Sequence, residues 1–150
     1  MEVLIRIMKE TDVPQVAAIY EEKRLTENIL APEPLREGLK LLAHPCYGTP
    51  GSVSLVAVVD SLVVACGQVV WYRIGSKGVI DQREEIVTLK AYEGHGIGRR
   101  LLDQLEILAK DMGSRTSKLS VHEDNERAIR IYRENGFVVK AELLMIKKHV

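Results

Sequence analysis

Three glycines within five residues, Gly94, Gly96 and Gly98, stand between a β-branched stretch and a helix with a one-sided apolar stripe. The stretch Glu84 to Leu89 reads as a strand. After the glycines, Leu101, Leu102, Leu105, Leu108, Ala109 and Met112 fall at helical spacing on one face, and Gly113 is placed to end the helix. A strand, a tight turn and an amphipathic helix in succession commit the chain to a sheet with a helix laid on it. The turn also has chemical meaning. Glycines leave backbone N–H groups uncovered at a helix N-terminus, and those donors with the helix dipole suit phosphate oxygens. Arg99 and Arg100 add positive charge there. The same glycines equally suit a turn that only lets helix and strand pack closely, and local spacing leaves both readings open.

The flanking sequence fills in the sheet. Val3 to Ile7 reads as a first strand. Asp12 offers an N-cap, Pro14 sits in the first turn, and Val13, Val16, Ala17 and Tyr20 make one apolar helical face. A second helix runs from Pro34 to Ala43 and stops before Pro45. Val53 to Val59 and Leu62 to Tyr72 are strands joined at Asp60-Ser61, a hairpin signal, with Gly67 marking a bulge or a close backbone approach. Leu119 to His122 is a short strand, Glu126 to Glu134 a helix, and Val138 to Lys147 a closing strand. The expected order is β-α-α-β-β-β-α-β-α-β, one α/β domain over residues 1–150 with a mixed sheet and helices on its faces.

Composition narrows the function. The 150 residues carry 21 Lys plus Arg and 21 Asp plus Glu, a formal charge of zero, which argues against gripping nucleic acid or an anionic membrane. Hydrophobic residues make up 46%, enough for a packed core. No apolar run approaches the about 20 residues of a membrane span, and the amino end lacks a basic, apolar secretory start. Cys46 and Cys66 lack metal-ligand spacing, and a cytoplasmic location in which both remain thiols is expected. The dinucleotide fingerprint fails in either register, with Arg99 or Leu101 at the third glycine position, and the Gly-x-x-x-x-Gly-Lys-Ser/Thr pattern is absent. Ordinary NAD and ATP sites are disfavoured.

A second informative stretch runs from His122 to Tyr132 and ends in Asn135-Gly136-Phe137. Asn125 and Tyr132 lie nearly two helical turns apart and face the same way. An amide and a phenol on one face suit a shared ligand. Asn125 also suits a helix cap, and Tyr132 a core aromatic with its hydroxyl satisfied.

Together, Tyr92-Glu93-Gly94-His95-Gly96-Ile97-Gly98-Arg99-Arg100 and the stretch from Leu119 through Asn125 and Tyr132 to Phe137 resemble the GNAT superfamily of N-acetyltransferases. The resemblance implies a mixed, mostly antiparallel sheet with splayed strands. It also implies transfer of an acetyl group from acetyl-CoA to an amine, on a small molecule or on a protein. By the same resemblance, Ile86, Val87 and Thr88 match the strand whose backbone pairs with the pantetheine arm and polarises the thioester carbonyl. Gly94, His95, Gly96, Ile97, Gly98 and Arg99 match the pyrophosphate loop, Asn125 the residue that holds the cofactor arm, and Tyr132 the general acid. Glu93 departs from the pattern, standing where Gln or Arg is usual, and a carboxylate near an anion is unfavourable.

The chemistry agrees with these roles. A thioester is already activated, so catalysis is mainly alignment plus oxyanion stabilisation by backbone N–H groups. An alkylammonium acceptor, with a pKa near 10.4, must lose a proton before attack. Glu84 and Glu85 precede the binding strand, and alternation puts one of them on the substrate face, with Glu85 favoured as base. His122 is the rival. The resemblance places the acceptor region from Tyr20 to Ala43, near Trp71 and Tyr72, and this region carries Glu21, Glu22, Glu27, Glu33 and Glu37, suited to a cationic amine or to a solvated face. A non-catalytic acyl-CoA-binding module is the alternative function, and a homodimer is left open.

Overall fold

The computed structural model describes residues 1–27, 52–73, 79–83, 86–111, 113–140, 145 and 147–149. These fall into two compact units, Met1–Ser120 and Val121–Val150. In the first, strand β1 (Leu4–Ile7) leads through a short 3-10 turn (Glu10–Asp12) into helix α1 (Val13–Glu27). Strands β2 (Ser52–Val59), β3 (Leu62–Arg73), β4 (Val79–Arg83) and β5 (Val87–Thr88) follow, then a 3-10 turn (Lys90–Tyr92), helix α2 (Ile97–Asp111) and strand β6 (Ser114–Leu119). The sheet order is β1-β2-β3-β4-β6, with β5 paired to β3. All pairings are antiparallel except β4 with β6. The mixed α/β fold expected from the resemblance is the one found.

The β2–β3 hairpin organises both faces. Asp60 and Ser61 have φ of +48° and +66°, the left-handed pair that matches the twist of a two-residue hairpin. Strand alternation then sorts the side chains. Val53, Leu55, Ala57 and Val59 join Ile97, Leu101, Leu105 and Ala109 of α2 in one cluster. Val56, Val63 and Cys66 join Val13, Val16, Ile19 and Tyr20 of α1 in the other. The two helices therefore cover the sheet through different clusters, and each large buried side chain contributes about 2 kcal/mol. Between Ala57–Ala65 and Val58–Val63 the register slips, leaving Val64 as an extra residue on β3. Gly67 is a close approach rather than the bulge: a Cβ there would lie 3.0 Å from Ile86 Cγ1 and 3.2 Å from Leu105 Cδ1.

Burial pushes the Cys66 thiol up to about 12, against a hydrogen bond from Tyr20, so it is an inert core group. Cys46 lies outside the described residues.

Several boundaries differ from those expected. Of the strand expected at Glu84 to Leu89, Val87–Thr88 form β5, Ile86 and Leu89 adopt no strand and the rest lies outside the described residues, while the preceding β4 at Val79–Arg83 was not anticipated, because Val-Ile-Asp-Gln-Arg lacks apolar alternation. The strand expected at Leu119 to His122 lies earlier, at Ser114–Leu119, where pairing with β4 overrides a polar sequence. Of the expected closing strand, residues 138–140, 145 and 147 adopt no strand, and the rest lies outside the described residues, as does the expected helix from Pro34 to Ala43. Among the described residues, no helix is long and apolar enough to cross a membrane.

Asp12, expected to cap α1, instead ends the 3-10 turn before it and directs its carboxylate back to Arg6 and Lys9. Its carboxylate accepts two hydrogen bonds from the Arg6 guanidinium, at 2.7 and 2.8 Å, and one from the Lys9 N–H at 2.7 Å. The Arg6 hydrogen bonds, opposed by burial and helped by the Lys9 N–H, hold its pKa below the usual carboxylate value. The folded state thus releases this proton more readily than the unfolded chain. The contribution is complete above the unfolded pKa near 3.8 and is lost as pH falls through the folded value. In urea titrations across acid pH, Asp12→Asn is expected to cost about 2 kcal/mol at pH 7 and to flatten the loss below pH 4. An unchanged acid slope would show that the pair is not what titrates.

Candidate cofactor and active site

In the first unit, the glycine turn, the start of α2 and strand β5 come together. Gly94 and Gly96 have φ of +80° and +75°, where an L-residue costs about 1–2 kcal/mol. Among the described residues, a Cβ at either would meet no atom within 4 Å beyond its chain neighbours, so these glycines answer to backbone conformation. Gly96 O accepts from Arg100 N–H at 3.1 Å, closing the first turn of α2. The opening N–H groups of the helix point out of its end beside the turn. Gly98 lies in that first turn. A Cβ there would stand 3.8 Å from both Ile86 Cγ2 and Thr88 Oγ1, so the helix start rests against the strand.

Strand β5 pairs with β3 through Cys66–Val87 and Ala65–Thr88, and Leu89 N–H donates to Val64 O at 2.8 Å. Antiparallel alternation then turns Val87 toward β3 and the Thr88 N–H and C=O to the opposite edge. The Val87 side chain is buried against α1. Ladder pairing between β4 and β6 runs to Arg83–Leu119, and among the described residues β5 pairs with β3 alone. Thr88 thus carries its backbone groups on the edge of β5 away from β3.

The turn is held from below by α1. Glu22 Oε1 accepts the Lys90 N–H at 2.6 Å, and Lys23 Nζ pairs with Glu93 Oε1 at 2.6 Å. The Lys23 side chain is only 3% exposed, so the departure at Glu93 carries its own counter-charge. Sequence reasoning missed Lys23. Its signal was a lysine one turn after Ile19 and Tyr20, within the buried stripe of α1. His95 and Arg99 are exposed, and Arg100 donates to the Val3 carbonyl at 3.3 Å.

The second unit holds helix α3 (Glu126–Glu134). Asn125 caps it, its Oδ1 accepting the Ala128 N–H at 3.2 Å. Tyr132 is buried, with its ring edge-on to Phe137 at 5.9 Å. His122 does not end a strand. It is exposed in the turn before α3, where its Nδ1 accepts the Asp124 N–H at 3.2 Å. Of the acidic residues expected to line the acceptor side, Glu21 pairs with Arg24 at 2.7 Å, and Glu22 serves Lys90. Glu33, Glu37, Glu84 and Glu85 lie outside the described residues. Trp71 and Tyr72 lie in β3, paired with Asp81 and Ile80.

The first unit thus combines a mixed sheet, a short strand off its main path and a glycine turn feeding a helix. The sequence model of the Acetyltransferase (GNAT) family matches residues 16–137, and the chain belongs to that family. Among curated proteins none matches it in sequence. Solved structures are similar in fold. An acetyltransferase of Trypanosoma brucei is 18% identical, with a TM-score of 0.76 over 98% of this chain and 100% of that one. A ribosomal-protein-alanine N-acetyltransferase of Brucella melitensis biovar Abortus is 16% identical, with a TM-score of 0.74 over 99% and 100%. The protein AAC(6')-Iy, in complex with the bisubstrate analog CoA-S-monomethyl-acetylneamine, is 14% identical, with a TM-score of 0.78 over all of both chains.

Proposed function

We propose that this protein is an acetyl-CoA-dependent N-acetyltransferase that acetylates a primary amine by direct attack. The observation that carries the reading is the open, positive-φ turn at Gly94 and Gly96, delivered onto the N-terminus of α2 beside the Thr88 edge, in a GNAT chain. Similar folds include a protein in complex with a CoA-containing bisubstrate analog and an N-acetyltransferase of a protein alanine.

When bound, acetyl-CoA supplies an activated thioester. The backbone from Gly94 to Arg99 takes the diphosphate with N–H donors and the helix dipole. The backbone of Ile86 and Thr88 aligns the pantetheine arm and polarises the carbonyl, while Val87 fixes the strand to the core. Asn125 steadies the cofactor arm, and its capping bond keeps that amide oriented. A carboxylate of the Glu84–Glu85 pair receives the acceptor's proton, and the Tyr132 hydroxyl gives one to the departing sulfur.

A panel of primary amines, from polyamines and aminoglycosides to peptide N-termini and lysine, incubated with acetyl-CoA and monitored by thiol detection, tests the reading. Amine-dependent release of CoA is expected for one class. Tight CoA binding with no amine-dependent thiol across the panel would favour the acyl-CoA-binding module.

A further inference from the structure

Two consecutive residues of α1 clasp the turn that precedes the glycine loop. Glu22 holds the first N–H of the Lys90–Tyr92 turn, and Lys23 holds the carboxylate of Glu93 just beyond it, each at 2.6 Å. These contacts join residues 68 and 70 positions apart. Glu93 immediately precedes Gly94, where the diphosphate is assigned above. A lone carboxylate there repels an anion, whereas a salt bridge to a buried ammonium cancels its field at that range. A buried ion pair is weak evidence of stabilisation in itself, because desolvation offsets much of the attraction. What the pair does supply is local neutrality and a fixed orientation for the backbone entering the turn.

We infer that Lys23 is a positioning residue for the CoA diphosphate, acting through Glu93: it neutralises the carboxylate beside the phosphate turn and holds the turn against α1. This rests on the cofactor placement proposed above. The distinguishing feature is a pattern of signs. Lys23→Met removes the buried ammonium from Glu93 and is expected to raise the dissociation constant for CoA about tenfold, the scale of one charge contact at intermediate dielectric. Glu93→Gln removes the repulsive charge, so CoA binds at least as tightly as to the wild-type protein. The double variant Lys23→Met with Glu93→Gln restores affinity to within about threefold of wild type. Pantetheine, which lacks the diphosphate, binds all four proteins equally.

Calorimetry with CoA and with pantetheine, alongside thermal melts, reads this out. A purely structural contact predicts instead that Glu93→Gln weakens CoA binding, or that CoA and pantetheine weaken together. Either result overturns the role. If Lys23→Met does not fold, Glu93→Gln and the double variant still decide it, because a tenfold loss in Glu93→Gln is enough to refute. A wild-type protein that fails to bind CoA removes the cofactor placement and this role with it. CoA binding without the sign pattern removes the role alone.

Discussion

Tyr132→Phe is expected to lower kcat by ~10²–10⁴-fold while leaving acetyl-CoA affinity near that of the wild type, the range of a positioned general acid. The substitution removes one oxygen and keeps the ring. That ring is buried and packs edge-on against Phe137 at 5.9 Å, and the Tyr132 carbonyl accepts the Phe137 N–H at 3.0 Å. Phenylalanine preserves both contacts, so the fold of α3 and the chain after it survives. A hydroxyl serving only the core gives the opposite pattern: a stability loss of about 1 kcal/mol with nearly normal turnover. Steady-state kinetics by thiol detection, paired with thermal melts, separate the two. Wild-type turnover in the variant, with chemistry shown to be rate-limiting, would falsify the general-acid assignment and leave water as the proton source.

The second large effect belongs to Gly96→Val. Gly96 sits at φ +75°, and a β-branched residue is the least able to follow it there. The backbone strain of about 1–2 kcal/mol falls on a surface turn, so the protein should remain folded. The binding loss comes from position. Among the described residues, a Cβ at this site meets no atom within 4 Å beyond its chain neighbours, and it projects from the turn where the diphosphate is proposed to lie. Affinity for CoA is expected to fall tenfold or more, with Gly96→Ala intermediate. Calorimetry on folded protein provides the test, and unchanged affinity would move the diphosphate elsewhere.

Legibility in the sequence followed the range of the forces involved. Helix α2 could be read because its stripe is local: Leu101, Leu102, Leu105 and Ala109 are all buried, and Gly113 takes a φ of +90° as its cap. The glycine turn was readable for the same reason, as was the capping alternative for Asn125, which the Ala128 hydrogen bond bears out. Strands β4 and β6 were not. Their residues are largely polar, and they exist as strands through hydrogen bonding to each other and to β3 across long stretches of chain. The Lys23–Glu93 pair was hidden likewise. Its partners are 70 residues apart, and Glu93 alone reads as a misplaced charge until the fold supplies the ammonium.

The extra residue at Val64 makes the hairpin sensitive to counting in a way that substitution would not reveal. Val64 and Ala65 both face the α2 cluster, while Val63 and Cys66 face the α1 cluster, so the strand changes phase once along its length. Deleting Val64 would close the irregularity and leave the flanking side chains on the faces they hold now, because Val63 and Ala65 already face opposite clusters. It would also withdraw the carbonyl that receives Leu89 N–H, the last backbone tie before the Lys90–Tyr92 turn. Drift in side-chain identity leaves this phase intact, whereas a residue inserted between Ala65 and Val69 would turn the side chains on one side of it to the opposite core layer.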